Sequence, residues 1–310
     1  MPRTTRTIKI TAVLCLLAFN VLGQNVSTEN PATSRLQSLM DNYWSYRLAE
    51  SPTLATAAGM KDYNHLLPQV SPLDQSRRLR AERAFLLQLR EIGRTDLSAE
   101  NQINYDLLAW VLETSIESME LNTDRIPFNT FSSFFTGALR ASYGVSMTTE
   151  EDYRAYVARI REFPRYFAEN IDNMREGMRS GFVLPKVIID GVLPTVRAQV
   201  YDNPDNSSLF EPIAEVSDRL SAVVQEQIRV EAREAIRSYA IPAFRELAEF
   251  LQNEYYPMAT EGIAAQDLSN GDAFYAHQIK VYTTRTDLSA DQIHNIGLSE
   301  VARIHTEMEE

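Results

Sequence analysis

Histidine occurs four times in this 310-residue chain, and the spacing of the four copies decides what they can do. They lie in Asn64-His65-Leu66, Ala276-His277-Gln278, Ile293-His294-Asn295 and Ile304-His305-Thr306. No glutamate follows any of them. The His-Glu-x-x-His pattern, in which two imidazoles four residues apart share a zinc ion and the glutamate reaches its water, is therefore absent. His294 and His305 fall on similar sides of one helical segment, but at ~1.5 Å per residue they stand ~16 Å apart along it and cannot share an ion. His305 and Glu309 are correctly spaced for two ligands, and two ligands fall short of a protein zinc site. The sequence thus assigns no metal ligand, no catalytic residue and no cofactor to this chain.

Other chemistries fare no better. Nothing resembles Gly-x-Ser-x-Gly or a glycine-rich phosphate loop. Adjacent carboxylates such as Glu150-Glu151 and Glu309-Glu310 point in different directions from a helix and act as solubilising charge. One segment does concentrate donors where a helix meets a loop, Phe274 to Thr286. Within it Tyr282, Thr283, Thr284 and Arg285 are the candidate substrate-binding residues, suited to a peptide backbone or a carboxylate.

The bulk properties narrow the partners. Arg3, Arg6 and Lys9 precede an apolar run from Ile10 to Leu22, the pattern of a secretory signal peptide with its cut near Gly23. The run is shorter than the ~20 residues of a membrane-spanning helix, and no transmembrane segment is expected after its removal. The protein is therefore expected to be exported, periplasmic or secreted. The single cysteine, Cys15, lies inside that run behind Leu14, which argues against lipid anchoring and leaves no thiol for a disulfide or a zinc-thiolate site. With 30 basic and 42 acidic residues, three of the basic ones in the leader, the chain repels phosphate backbones and anionic lipid. No nucleic-acid partner is expected.

The elements that must position these residues read as helices. Leu36, Leu39, Met40, Tyr43, Trp44 and Leu48 recur at three- and four-residue spacing, as do Ile103, Leu107, Trp110, Val111 and Leu112. Both tryptophans are expected in the core. Ser51-Pro52, Ser71-Pro72, Thr149 with Asp152, Asn270-Gly271-Asp272 and Ser289 with Gln292 are helix starts, and Gly181 is a helix stop. Phe128 to Met147 has neither period and reads as a long ordered loop; Pro242 interrupts the helical stretch from Glu211 to Tyr256. The fold class is all-α, a multi-helix array. Asn203-Pro204-Asp205-Asn206 marks a boundary between a helical region over 24–202 and a second over 207–310.

The runs Gln102 to Leu108, Arg175-Glu176-Gly177-Met178-Arg179-Ser180-Gly181-Phe182-Val183-Leu184-Pro185 and Tyr282 to Glu300 resemble the bacterial DUF885 family in content, order and separation. That resemblance implies an exported or lipid-anchored helical protein grouped with zinc metallopeptidases. It also implies a His-Glu-x-x-Pro-Gly-His-His type motif further toward the C-terminus, with zinc only in that full-length fold. This sequence contains no such motif, so the family's zinc ligands and general base have no counterpart in it. The last helix, moreover, ends on Glu307-Met308-Glu309-Glu310, acids against the negative end of its dipole. The expectation is the N-terminal, cleft-forming half of a metallopeptidase-like protein, inactive alone, whose partners are a peptide substrate and a missing C-terminal half. The competing expectation is a stand-alone helical module that captures peptides or a partner through Phe128 to Met147 and Tyr282 to Arg285.

Overall fold

Fourteen α-helices follow one another in the computed structural model, which describes residues 30–309; the leader expected over residues 1–23 lies outside them. They are α1 (Pro31–Glu50), α2 (Pro52–Ala57), α3 (Pro72–Arg90), α4 (Ala99–Glu120), α5 (Phe134–Leu139), α6 (Glu150–Arg161), α7 (Phe163–Ser180), α8 (Lys186–Arg197), α9 (Glu211–Ala214), α10 (Ala222–Ala235), α11 (Ile241–Phe250), α12 (Tyr256–Met258), α13 (Gly271–Thr283) and α14 (Ala290–Glu309). No strand forms among the described residues, where only two isolated bridges occur, Phe128 with Ser133 and Pro185 with Thr260. The protein is all-α. No described helix is long and apolar enough to cross a membrane.

The helix starts behave as their side chains dictate. The Ser71, Ser98, Thr149 and Ser221 hydroxyls each accept an N–H of the first turn, and Gly181 ends α7 at φ +72°, where a Cβ is disfavoured. Asn270 does not cap with its side chain; it takes the left-handed conformation itself, at φ +62°. Pro242 does not break its helix either. The N–H of Ile241 reaches back five residues to Ile236, and that of Tyr256 to Leu251, so a π turn precedes each of Pro242 and Pro257. The widened turn makes room for a residue that lacks an N–H and would otherwise clash with the carbonyl four residues back. A helical path thus runs unbroken from Ala222 to Met258.

Buried side chains form two clusters. The smaller joins α1, α3 and α4 through Leu36, Leu39, Tyr43, Leu89 and Leu112. The larger runs from Leu67 to Ala259 and takes residues from both sides of the Asn203–Asn206 turn; Phe167 anchors it, with the Phe134, Phe163 and Phe244 rings 4.9 to 5.6 Å away. The supposed loop over 128–147 contributes a helix, α5, and buries Phe128, Phe134 and Phe135 in this core. Its lack of period reflects anchoring by single aromatics rather than by a helical stripe. Neither tryptophan is a core residue: Trp44 is half exposed, and Trp110 is partly buried beneath Lys280. Of the α4 stripe that the spacing predicts, Leu112 is buried and most of the rest is not. Leu108, Leu112 and Ile116 face α1 and α3, while Ile103, Leu107 and Val111 are exposed. α4 has two apolar faces, and spacing alone cannot rank them.

The joint around Gly177 holds the second half of the chain to the first. A Cβ on Gly177 would stand 2.6 Å from the Phe182 carbonyl oxygen and 3.2 Å from Arg125, so only glycine fits. Arg175 grips Glu254 with both arms, at 3.0 and 3.1 Å, and the Leu184 N–H donates to the Tyr255 hydroxyl at 2.9 Å.

Asp152 has a comparable role at the start of α6. Its side chain is only 3% exposed; it accepts the N–H groups of Thr148 and Thr149 at 3.2 and 2.9 Å and the Lys61 ammonium at 2.8 Å. Desolvation opposes its charge, but these donors outweigh it and hold the carboxyl well below the usual carboxylate range. A depressed carboxylate stabilises the fold above its unfolded pKa, near 3.9, and loses that contribution as pH falls below it. Asp152→Asn should cost about 2 kcal/mol at pH 7 and flatten the fall in stability below pH ~4. Urea melts of both proteins from pH 2 to 7 check this, and parallel acid limbs would refute it.

Candidate functional site

The segment with the densest chemistry, Phe274 to Thr286, forms most of α13 and its exit. Phe274 packs edge-on against Phe182 at 5.5 Å, and the Ser269 N–H donates to the Gly181 carbonyl, so the Gly177 joint also fixes where α13 begins. His277 is 3% exposed and sits against α4, with Nδ1 3.2 Å from the Glu117 carboxylate but out of hydrogen-bonding alignment with it. Three residues on, Lys280 donates to the same carboxylate at 2.8 Å and lies over the Trp110 ring, 5.5 Å from its centroid. Burial resists ionisation of Glu117, yet Lys280 and His277 bring its carboxyl below the ordinary carboxylate range. α13 is thereby fastened to α4 by one carboxylate that accepts from Lys280 and lies beside the His277 ring.

Between α4, α13 and the start of α14 lies a hollow of about 430 Å³, a volume suited to a small ligand. Asp272, Tyr275, Ala276, Ile279 and Lys280, three to four residues apart on one face of α13, form its floor; Glu117 closes one side, and Arg285 to Ala290 the other. Its walls carry charges of both signs. Lys280 is tied to Glu117, and Arg285 holds Asp287 through two bonds of 2.9 and 2.6 Å. Asp272 makes no ion pair with a described residue. Along α13 the eight steps from Asp272 to Lys280 span ~12 Å, the length of three to four extended residues at ~3.4 Å each.

Of the four residues singled out from sequence, Arg285 lines this hollow. Tyr282 points away from it and is 83% exposed. The Thr283 hydroxyl donates to the Ile279 carbonyl at 2.7 Å and accepts the Arg285 N–H at 3.2 Å, while Thr284 turns the chain at φ +55°. The two threonines therefore shape the corner between α13 and α14. Spacing did not single out Glu117, Asp272, Tyr275 or Lys280, although their types were legible; Glu117 lies more than 150 residues from the rest and is brought in by the fold alone. A second hollow of about 320 Å³ lies between the Asn129 to Thr136 turn and α8, with the exposed Phe131 ring at its edge, but no charged side chain lines it.

Among the described residues, no three His, Cys, Asp or Glu side chains gather as metal ligands. His294 and His305 stand exposed on α14. The donor set that zinc requires does not fit the residues described, and no step through a metal follows from them.

Residues 52–310 match the sequence family described as bacterial protein of unknown function, DUF885. The fold matches the crystal structure of the "putative lipoprotein from Colwellia psychrerythraea" with a TM-score of 0.80 at 17% identity, over 89% of this chain and 50% of that one. The chain thus spans half the length of that structural relative, and the likeness is one of fold. A search of the curated proteins finds no match.

Proposed function

Because the chain belongs to the DUF885 family of bacterial proteins, we propose that it forms one wall of the peptide-binding cleft of an exported, metallopeptidase-like hydrolase and performs no hydrolysis by itself. The hollow between α4, α13 and α14 carries this reading. Its two kinds of charge suit a zwitterion: the amino end of a short peptide at Asp272, its carboxylate at Lys280 and Arg285, and its middle on Tyr275 and Ile279. The length from Asp272 to Lys280 fits three or four residues. Zinc and the groups that act on its water would belong to polypeptide beyond this sequence, as the family resemblance implies. Export is supported by the charged and apolar leader and by the description of the structural relative as a lipoprotein.

Titration calorimetry of the purified chain with tetra-alanine tests the reading. Free-ended peptide should bind with a dissociation constant on the order of 1 mM. Lys280→Ala should weaken binding about tenfold, the loss of one charge-assisted hydrogen bond, and capping both ends should weaken it further. Equal affinity for capped and free peptide would refute the zwitterion site, and zinc-dependent hydrolysis by this chain alone would refute the division of labour.

A further inference from the structure

Two apolar stripes leave the rim of the hollow and stand uncovered by the described residues. Ala290 lines the hollow, and the face of α14 on which it sits continues through Ile293, Gly297, Val301, Ile304 and Met308, at spacings of three and four. None of the 20 residues of α14 is buried. On α4, Glu117 lines the hollow and Trp110 carries Lys280; the same face continues toward the N-terminus through Leu107 and Ile103, both about 60% exposed. A helix with one apolar stripe is ordinarily held by burying it, and exposed stripes this long mark interaction surfaces.

We infer that the two stripes form a single seat, with the hollow at its apex, for a further helical polypeptide that corresponds to the unmatched half of the Colwellia psychrerythraea chain. Three observations select this occupant. Half of the relative's chain lies outside the part matched here. Both stripes start at one hollow, so one body covers them together and roofs the hollow as it does so. The charge on α14 states what borders that body's apolar face: Asp291, Glu300, Glu307 and Glu309 stand against one basic residue, Arg303, which is already bound to Glu300 and Glu307. The occupant therefore presents an apolar helical stripe flanked by lysine and arginine. A second copy of this acidic chain, with a formal charge of −12, is repelled from the same seat.

The inference rests on reading the hollow as an unfinished cleft, and its test is independent of the peptide titration. p-Benzoyl-phenylalanine is placed at Leu107, at Ile304 and, as a control remote from the seat, at the exposed Tyr143, in the natural gene at its natural length in its own host. All three positions are exposed, so each variant keeps the fold, which unchanged melting verifies. After irradiation, positions 107 and 304 should crosslink to peptides of one helical polypeptide outside residues 1–310, with an apolar stripe flanked by Lys and Arg, at yields at least tenfold above position 143. Crosslinks to a second copy of residues 1–310 or to lipid, or yields no higher than at position 143, would overturn it.

Discussion

Arg159→Ala should lower the midpoint of thermal unfolding by about 10 °C, a loss of ~3–5 kcal/mol in a domain of this size. Arg159 is among the most buried side chains of the molecule, yet no carboxylate pairs with it among the described residues. Its guanidinium donates to the Ala141 and Tyr63 carbonyls, both at 2.9 Å, and to the Thr56 hydroxyl at 2.6 Å, leaving Nε without a partner. Desolvation pulls its pKa down to about 10, so it remains charged at neutral pH. One side chain thus ties α2, the turn after it and the end of the α5 loop to α6. Truncation strands the buried Ala141 carbonyl and the part-buried Tyr63 carbonyl, at ~1–3 kcal/mol for a fully buried acceptor, and opens a cavity. Arg159→Met refills the volume without satisfying the carbonyls and should recover only part of the loss. An Arg159→Ala protein that melts within about 2 °C of the parent would show that the three acceptors find other donors.

Gly271→Ala should release α13 rather than melt the whole protein. A Cβ there would stand 1.8 Å from the Ala265 carbonyl oxygen, 2.7 Å from its carbon and 3.0 Å from the Gln266 Cα, all backbone atoms that cannot turn aside. Since α13 buries little besides Gly271 and His277, the strain is relieved by local opening. Amide exchange across Ala276 to Ile279 should quicken about 100-fold, ~3 kcal/mol at 1.4 kcal/mol per decade, while the core amides of α7 and α11 keep their rates. Gly191→Ala, where the added methyl meets open space on α8, is the control; it should be neutral or slightly stabilising, because alanine restricts the unfolded chain. Uniform acceleration in α7, α11 and α13 would contradict the local account.

These two residues also show how far the sequence could be read. Gly177, Gly181, Leu184 and Pro185 stand in the run that most specifically resembles the family, and the structure gives each a mechanical reason: a close approach to Arg125, a left-handed helix end, a hydrogen bond to Tyr255 and a bridge to Thr260. Short-range features such as these, and caps like Thr149 with Asp152, follow from neighbouring residues and were legible. The choice between the two apolar faces of α4 was not, because it depends on where α1 and α3 lie. The π turns that absorb Pro242 and Pro257 were hidden for a similar reason: proline announces a missing N–H but not how the helix adjusts. The site was legible only in part. Arg285 was found through its neighbours, whereas Glu117 joins it by a contact across the fold, and Arg159 carries no sequence mark that separates it from a surface arginine.

A free-ended short peptide should settle in the hollow between α4, α13 and α14. Amide chemical-shift mapping of the purified chain with tetra-alanine tests it most directly. Saturable shifts should be confined to Asp272 through Lys280, Arg285 through Ala290 and the Glu117 neighbourhood, and should be lost in Lys280→Ala. Shifts centred on Phe131 and Thr195 at the second hollow, or none at peptide concentrations of several millimolar, would contradict it.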